Sequence, residues 1–152
     1  MQLTQCDICN LLPKLNPIFE TNNWTILINK NQGYLGRCYV TLKKHKGSLS
    51  EINDDEWLDF SEVVSKLETA LKKVFGVENF NWTSLMNNAY QVDNAKPHIH
   101  WHVIPRYKDS ITFNGIKFSD PQFGHHYNRD QRLNVEEAVL ASIKKAIQDN
   151  LD

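Results

Sequence analysis

Pro97-His98-Ile99-His100-Trp101-His102-Val103-Ile104-Pro105-Arg106 is the stretch that decides how this chain folds and what chemistry it can support. Successive side chains of a β-strand point to opposite faces. A strand from His98 to about Tyr107 therefore places His98, His100 and His102 on one face. Ile99, Trp101 and Val103 fall on the other, an apolar surface suited to packing on a core. A single strand histidine is ordinarily structural or exposed, but three in strict alternation make a polar row with few structural uses. Two chemistries remain open. The row can hold one metal ion, because neutral imidazole is a common ligand. It can instead act on phosphate, one histidine serving as covalent nucleophile and its neighbours as anchors or proton donors, because imidazole titrates near working pH.

Working outward, the elements around the row alternate between the two regular periods. Trp24 to Asn29 is strand-like, Gly33 to Gly36 reads as a turn, and Cys38 to Lys43 as a partner strand, together a hairpin. Asp54 to Phe75 carries apolar residues at helical spacing, from Trp57 and Leu58 through Val63, Leu67 and Leu71 to Phe75. Asn53 or Asp54 suits its N-cap, and Gly76 stands where a helix C-terminus needs a left-handed residue. A strand follows near Phe80 to Asn87, then a polar loop through Lys96. Residues 109–131 read as a structured loop. Val135 to Asn150 reads as a second amphipathic helix, with Asn134 as its cap. Strands, helix, strands, helix favour an α+β fold with a mostly antiparallel sheet, one long helix and a C-terminal helix.

The length of 152 residues suits one domain over 1–152 with one core. The formal net charge is −1, with no long basic run. That leans against a general nucleic-acid binder, which gains affinity by neutralising many phosphates, and leaves a small anionic ligand open. No apolar run approaches the roughly 20 residues that cross a bilayer. Met1-Gln2-Leu3-Thr4-Gln5 has neither the basic start nor the apolar stretch of a signal peptide. Three cysteines, Cys6, Cys9 and Cys38, argue against a secreted disulfide scaffold. The expected location is a reducing cytoplasm.

The triad stretch resembles the signature of the histidine-triad (HIT) family: three histidines alternating with apolar residues, then Pro-Arg. The upstream order is similar too: a strand ending Leu27-Ile28-Asn29, a glycine turn, a strand before Lys43-Lys44-His45, the long helix, and a strand ending Met86-Asn87. The resemblance covers residues 5 to 107, and the C-terminal loop and helix, about 108–152, lie outside it. It implies a HIT-like fold and cleavage or transfer of nucleotidyl groups at an α-phosphate. His100 would attack phosphorus and form a nucleotidyl-histidine, and His102 would contact the phosphate or leaving group. Asn87 would lie near the leaving group or phosphate, Asn29 would bind ribose hydroxyls, and Leu27 would line the base pocket. On the residues alone, without the triad, Asn87 reads as the start of a loop, Asn29 as a turn initiator and Leu27 as core. Backbone N–H groups of the Asp93-to-Lys96 loop are further phosphate donors.

The chain departs from the family at three places. Asp93-Asn94-Ala95 stands where many members have Gly-Gln and a small hydroxyl residue. Asn94 can replace the Gln amide there, but Ala95 supplies no hydroxyl. Arg37 stands where many have His, and Trp101 is bulkier than the usual aliphatic. These differences bear on substrate class more than on reaction type.

Cys6-Asp7-Ile8-Cys9 is a C-x-x-C knuckle, weak by itself, because a tetrahedral zinc needs two more ligands. Some HIT proteins and the related galactose-1-phosphate uridylyltransferases complete such a pair with an upstream His and the first triad His. The resemblance thus implies a structural zinc on Cys6, Cys9, His45 and His98. The alternative is two buried thiols and a surface His45. Cys38 reads as core, and His125-His126-Tyr127 receives no role, though that segment could fold over the nucleotide site.

The leading expectation is a hydrolase of a nucleoside phosphoramidate, a dinucleoside polyphosphate or a related nucleotide. His102 favours hydrolysis, since several transferase relatives carry Gln there. A diadenosine-polyphosphate phosphorylase or nucleotidyltransferase, a zinc-containing nucleotide-binding module with little turnover, and a catalytic metal on all three histidines stand as alternatives. The resemblance also implies a homodimer.

Overall fold

The computed structural model describes residues 6–152. The first residues of the 1–152 span, Gln5 of the signature region among them, lie outside the described residues. In chain order the elements are α1 (Asp7–Leu11), β1 (Phe19–Glu20), β2 (Trp24–Ile28), β3 (Cys38–Leu42), α2 (Asp54–Phe75), β4 (Asn79–Thr83), β5 (His100–Arg106), β6 (Ile111–Phe113), β7 (Ile116–Phe118) and α3 (Glu137–Gln148). Five strands form one antiparallel sheet in the order β1-β2-β3-β5-β4, so the architecture is α+β with a long and a C-terminal helix.

The expected hairpin is β2 and β3, paired from Trp24↔Leu42 to Ile28↔Cys38. Its register with β5, Tyr39↔His102 and Thr41↔His100, sets the two faces of the sheet. Trp24, Ile26, Cys38, Val40, Leu42 and Val103 alternate onto one face and are buried. That face meets α2 through Val63, Leu67, Ala70 and Leu71, all fully buried. Each large aliphatic so buried contributes about 1.5–3 kcal/mol relative to exposure. Trp101 belongs to this side, its ring 5.3 Å from Phe60 of α2 in a stacked arrangement, so the helix supplies an aromatic seat for its bulk. The opposite face carries Leu27, Tyr39, Thr41, His100 and His102 and is left open.

α2 begins at a capping box: Asn53 Oδ1 accepts from Glu56 N–H at 2.9 Å, and Glu56 accepts from Asn53 N–H at 2.9 Å. Glu56 also receives Lys46 Nζ at 2.6 Å, tying the helix start to the segment that holds His45. Gly76 ends the helix in the left-handed region at φ 69°.

Four boundaries differ from the sequence reading. The strand expected to end at Asn87 ends at Thr83, and Asn87 instead starts a 3-10 turn, Asn87–Gln91, entered through Met86 at φ 53°. The strand expected from His98 starts at His100; before it, Ile99 N–H donates to Lys46 O and Leu42 N–H to Ile99 O, outside the regular ladder. Residues 109–131 contain the hairpin β6–β7, turning on Asn114 and Gly115, both at positive φ. Asn134 does not cap α3, which starts after Glu136; Asn134 bridges to Asn31 instead.

Candidate active site and metal-ligand cluster

The open face of the sheet forms the floor of a cleft of about 1420 Å³. His98, His100 and His102 all line it, as do Leu27, Asn29, Asn87 and Asn94. The structure thus brings every sequence-derived nucleotide-contact residue to one cavity. The imidazoles of His100 and His102 lie with ring centroids 5.1 Å apart, and Tyr39 stands over both, at 6.3 and 5.1 Å. Asn94 holds a left-handed backbone at φ 59° in the loop before the triad. Asn29 is buried, and its Oδ1 accepts from Asn31 N–H at 2.9 Å. It therefore shapes the turn while lining the cleft.

The three histidines are not equivalent. His98 is almost fully buried, while the other two are half-buried. Its Nε2 lies 2.6 Å from the carbonyl of Leu42, and a carbonyl only accepts, so Nε2 carries the proton and Nδ1 the lone pair. That Nδ1 lies 3.4 Å from Cys6 Sγ, 3.4 Å from Cys9 Sγ and 3.2 Å from His45 Nδ1. Cys9 Sγ is 3.4 Å from His45 Nδ1, and all four donor atoms fall within 4.8 Å of one another. Cys6 also caps α1, its sulfur accepting from Cys9 N–H at 3.4 Å, which fixes the two thiols side by side. A tetrahedral zinc, with bonds of about 2.3 Å to sulfur and 2.0 Å to nitrogen, holds its donors roughly 3.3–3.8 Å apart. The cluster fits that spacing and donor set. The Leu42 carbonyl is the outer partner that orients a ligating imidazole.

Nε2 of His98 thus meets the Leu42 carbonyl and Nδ1 the Cys6, Cys9 and His45 side chains, which sets it apart from His100 and His102. His100 Nδ1 lies 2.8 Å from the carbonyl of His98 and must donate to it. In the neutral imidazole the lone pair then sits on Nε2. Burial, helped by the nearby charges of His100, Arg37 and Arg129, pushes the His102 pKa down to about 4. His102 is therefore neutral at pH 7, with one N–H to give and one lone pair. Cys38 is fully buried, its thiol 2.9 Å from the Gly36 carbonyl, and burial drives its pKa up, as befits an inert core thiol.

The model of the HIT domain matches residues 14–109. The chain belongs to the HIT domain family. Membership places this HIT chain among nucleotide-binding and nucleotide-processing proteins. It is 29% identical over 118 residues to an uncharacterised HIT-like protein of Methanocaldococcus jannaschii, a match spanning 76% of this chain and 89% of that one. It is 31% identical over 71 residues to the adenosine 5′-monophosphoramidase of Schizosaccharomyces pombe, spanning 47% and 49% respectively. The crystal structure of a zinc-bound histidine triad family protein from Mycobacterium smegmatis superposes with a TM-score of 0.61 at 20% identity, covering 95% of this chain and 94% of that one.

The HIT match ends before several residues that complete the cleft. Tyr127, Arg129, Asp130, Arg132 and Asn134 line its wall. The sequence pointed to the His125-to-Tyr127 segment as one that could cover the site but named none of these as site residues, because they sit in an irregular stretch without periodicity. The available signal was the pair of arginines in Arg129-Asp130-Gln131-Arg132, two cations in a chain of near-zero net charge.

Proposed function

We propose that this protein is a nucleotidyl hydrolase that cleaves at the α-phosphate of a nucleotide through a nucleotidyl-histidine intermediate. The observation that carries this reading is the His100 imidazole, whose Nδ1–H is spent on the His98 carbonyl so that Nε2 presents its lone pair. In the first step Nε2 bonds to the α-phosphorus, and the bond from phosphorus to the leaving group breaks with its electron pair on that group. In the second, water attacks phosphorus, the P–N bond breaks, and the water proton passes to solvent, returning His100 to its starting form. The neutral His102 donates its N–H to the phosphate or leaving group. Asn87 and Asn94 contact the phosphate side, Asn29 the ribose and Leu27 the base. Most of such a barrier is met by positioning and charge stabilisation, which groups on a rigid strand supply.

The substrate is a nucleoside phosphoramidate, a dinucleoside polyphosphate or a similar nucleotide. The likeness to a monophosphoramidase supports the first class. Zinc on Cys6, Cys9, His45 and His98 is the second part of the reading, supported by the donor spacing and by the zinc-bound relative. It is structural: it staples the N-terminal segment to the start of β5 and takes no part in bond making. An odd count of three cysteines suits a reducing cytoplasm, and a homodimer is what the family resemblance implies. No described helix is long and apolar enough to cross a membrane.

Incubation with adenosine 5′-phosphoramidate and with diadenosine tetraphosphate, with and without inorganic phosphate, tests the reaction. AMP formed with water alone, and lost in His100→Ala, is the expected result. ADP formed only when phosphate is present shows a phosphorylase instead. Unchanged turnover in His100→Ala removes the nucleophile assignment, and no turnover of any nucleotide leaves a binding module.

A further inference from the structure

Arg37, Arg129 and Arg132 converge on the cleft from two different parts of the chain. Arg37 precedes β3 and continues its open face. Thr41 pairs with His100 and Tyr39 with His102, so alternation puts Arg37 one step past His102, on the side away from the cysteine–histidine cluster. Its Nε is buried without a hydrogen-bond partner. A guanidinium nitrogen withdrawn from water and left unpaired is costly, and its natural complement is an anion held at the same place.

Arg129 and Arg132 arrive on the C-terminal segment, outside the residues the family model matches. The backbone that carries them is fixed. Asn128 N–H donates to Tyr34 Oη at 2.8 Å, Gln131 Nε2 to Gly33 O at 2.8 Å, and Leu133 N–H to Asn31 Oδ1 at 3.1 Å. Gln32 N–H in turn donates to Leu133 O at 2.8 Å. The segment packs so closely that a Cβ on Gly33 would stand 2.3 Å from the Gln131 carbonyl oxygen. The two arginines are thus borne by a built wall, with one carboxylate, Asp130, between them in sequence. Arg37 and Arg129 both lie near enough to His102 to act on its titration.

We propose that Arg37, Arg129 and Arg132 form an anion subsite at the His102 end of the cleft, which takes a second phosphate of the substrate beyond the one His100 attacks. This rests on the nucleotidyl reading for the identity of the first phosphate. A monophosphate with a neutral leaving group leaves the subsite without its ligand. A substrate with phosphates in its leaving group fills it, as does a nucleotide with a further phosphate on the ribose. The chemistry is shared, and the two sources are separable.

Equilibrium titration of the full chain with AMP, ADP, ATP and adenosine 3′,5′-bisphosphate tests the subsite without requiring turnover. The wild-type protein is expected to bind at least one ligand with an additional phosphate about tenfold more tightly than AMP, the scale of one added charge-assisted hydrogen bond. Arg129→Ala/Arg132→Ala, which alters exposed side chains, is expected to erase most of that gain. Arg37→Gln is expected to reduce it as well. A gain for ADP and ATP assigns the phosphate to the leaving-group chain; a gain for the bisphosphate assigns it to the ribose. Equal affinity for all four ligands, or a gain that survives the double variant, overturns the subsite. A protein that shows the gain but turns over no nucleotide keeps the subsite and loses the hydrolase reading.

Discussion

The carbonyl oxygen of His98 receives the Nδ1–H of His100 at 2.8 Å. One residue thus faces two sites at once: its imidazole meets Cys6, Cys9 and His45, and its backbone sets the tautomer of its neighbour. A disturbance in the thiol–imidazole cluster is expected to reach the neighbouring imidazole through a single peptide unit.

Cys9→Ser is therefore expected to lower bound zinc well below one equivalent and to reduce kcat by about 10–100-fold, the scale seen when metal-site support is removed. His100→Ala is expected to keep its zinc while losing turnover. Metal content by mass spectrometry, read beside steady-state rates, checks both. Zinc retained in Cys9→Ser with normal stoichiometry removes Cys9 from the ligand set.

Arg106 anchors the C-terminal segment. Its guanidinium meets Asp120 at 2.7 and 3.1 Å, and donates to Asn81 Oδ1 and to the carbonyls of His125 and Gln122. Both side chains are essentially buried. Arg106→Met leaves the buried Asp120 carboxylate without its cation, with the Tyr107 N–H still donating to it, and is expected to cost about 3–5 kcal/mol in urea unfolding. A loss under about 1 kcal/mol would show that water reaches the vacated place.

Gly33→Ala drives a methyl against the Gln131 carbonyl, and a backbone atom cannot swing aside. The expected destabilisation is about 1–3 kcal/mol, the range for overpacking, with weaker nucleotide binding because Arg129 and Arg132 shift. Thermal melts with and without nucleotide read both effects.

His102 supplies a pH dependence whose sign is fixed. Its folded pKa of about 4 lies below the unfolded value near 6.5. The unfolded chain therefore binds more protons between these values, and stability falls as pH drops from about 6.5 towards 4. His102→Gln removes this contribution. Its unfolding free energy is expected to decline less steeply than that of the wild type across that window; parallel curves would show that His102 titrates normally.

Much of this was legible in the sequence because periodicity and caps are local. Asn53, Glu56 and Gly76 mark the ends of α2, and the histidine alternation marks the face of the sheet that floors the cleft. The β6–β7 hairpin was also legible in principle: Ile111-Thr112-Phe113-Asn114-Gly115-Ile116-Lys117-Phe118 is an Asn-Gly turn between alternating apolar residues, a strong hairpin signal that the surrounding polar stretch obscured. The segment after β4 was harder, since the chain enters the 3-10 turn through a left-handed backbone at Met86 that its side chain does not announce. Arg129 and Arg132 were out of reach for another reason. Their place in the cleft depends on bonds from Asn128, Gln131 and Leu133 to residues nearly a hundred positions away.

Strand β5 has hydrogen-bonded neighbours on both edges, β3 on one side and β4 on the other. Its backbone amides should be among the slowest in the molecule to exchange with deuterium, opening only when the sheet itself comes apart. The wall at residues 128–134 is fixed by loop bonds and not by a strand ladder, and it is expected to open at a lower free energy than the sheet. The floor and the wall of one cleft then belong to different cooperative units, so mild denaturant should impair ligand capture before it disturbs the imidazoles beneath.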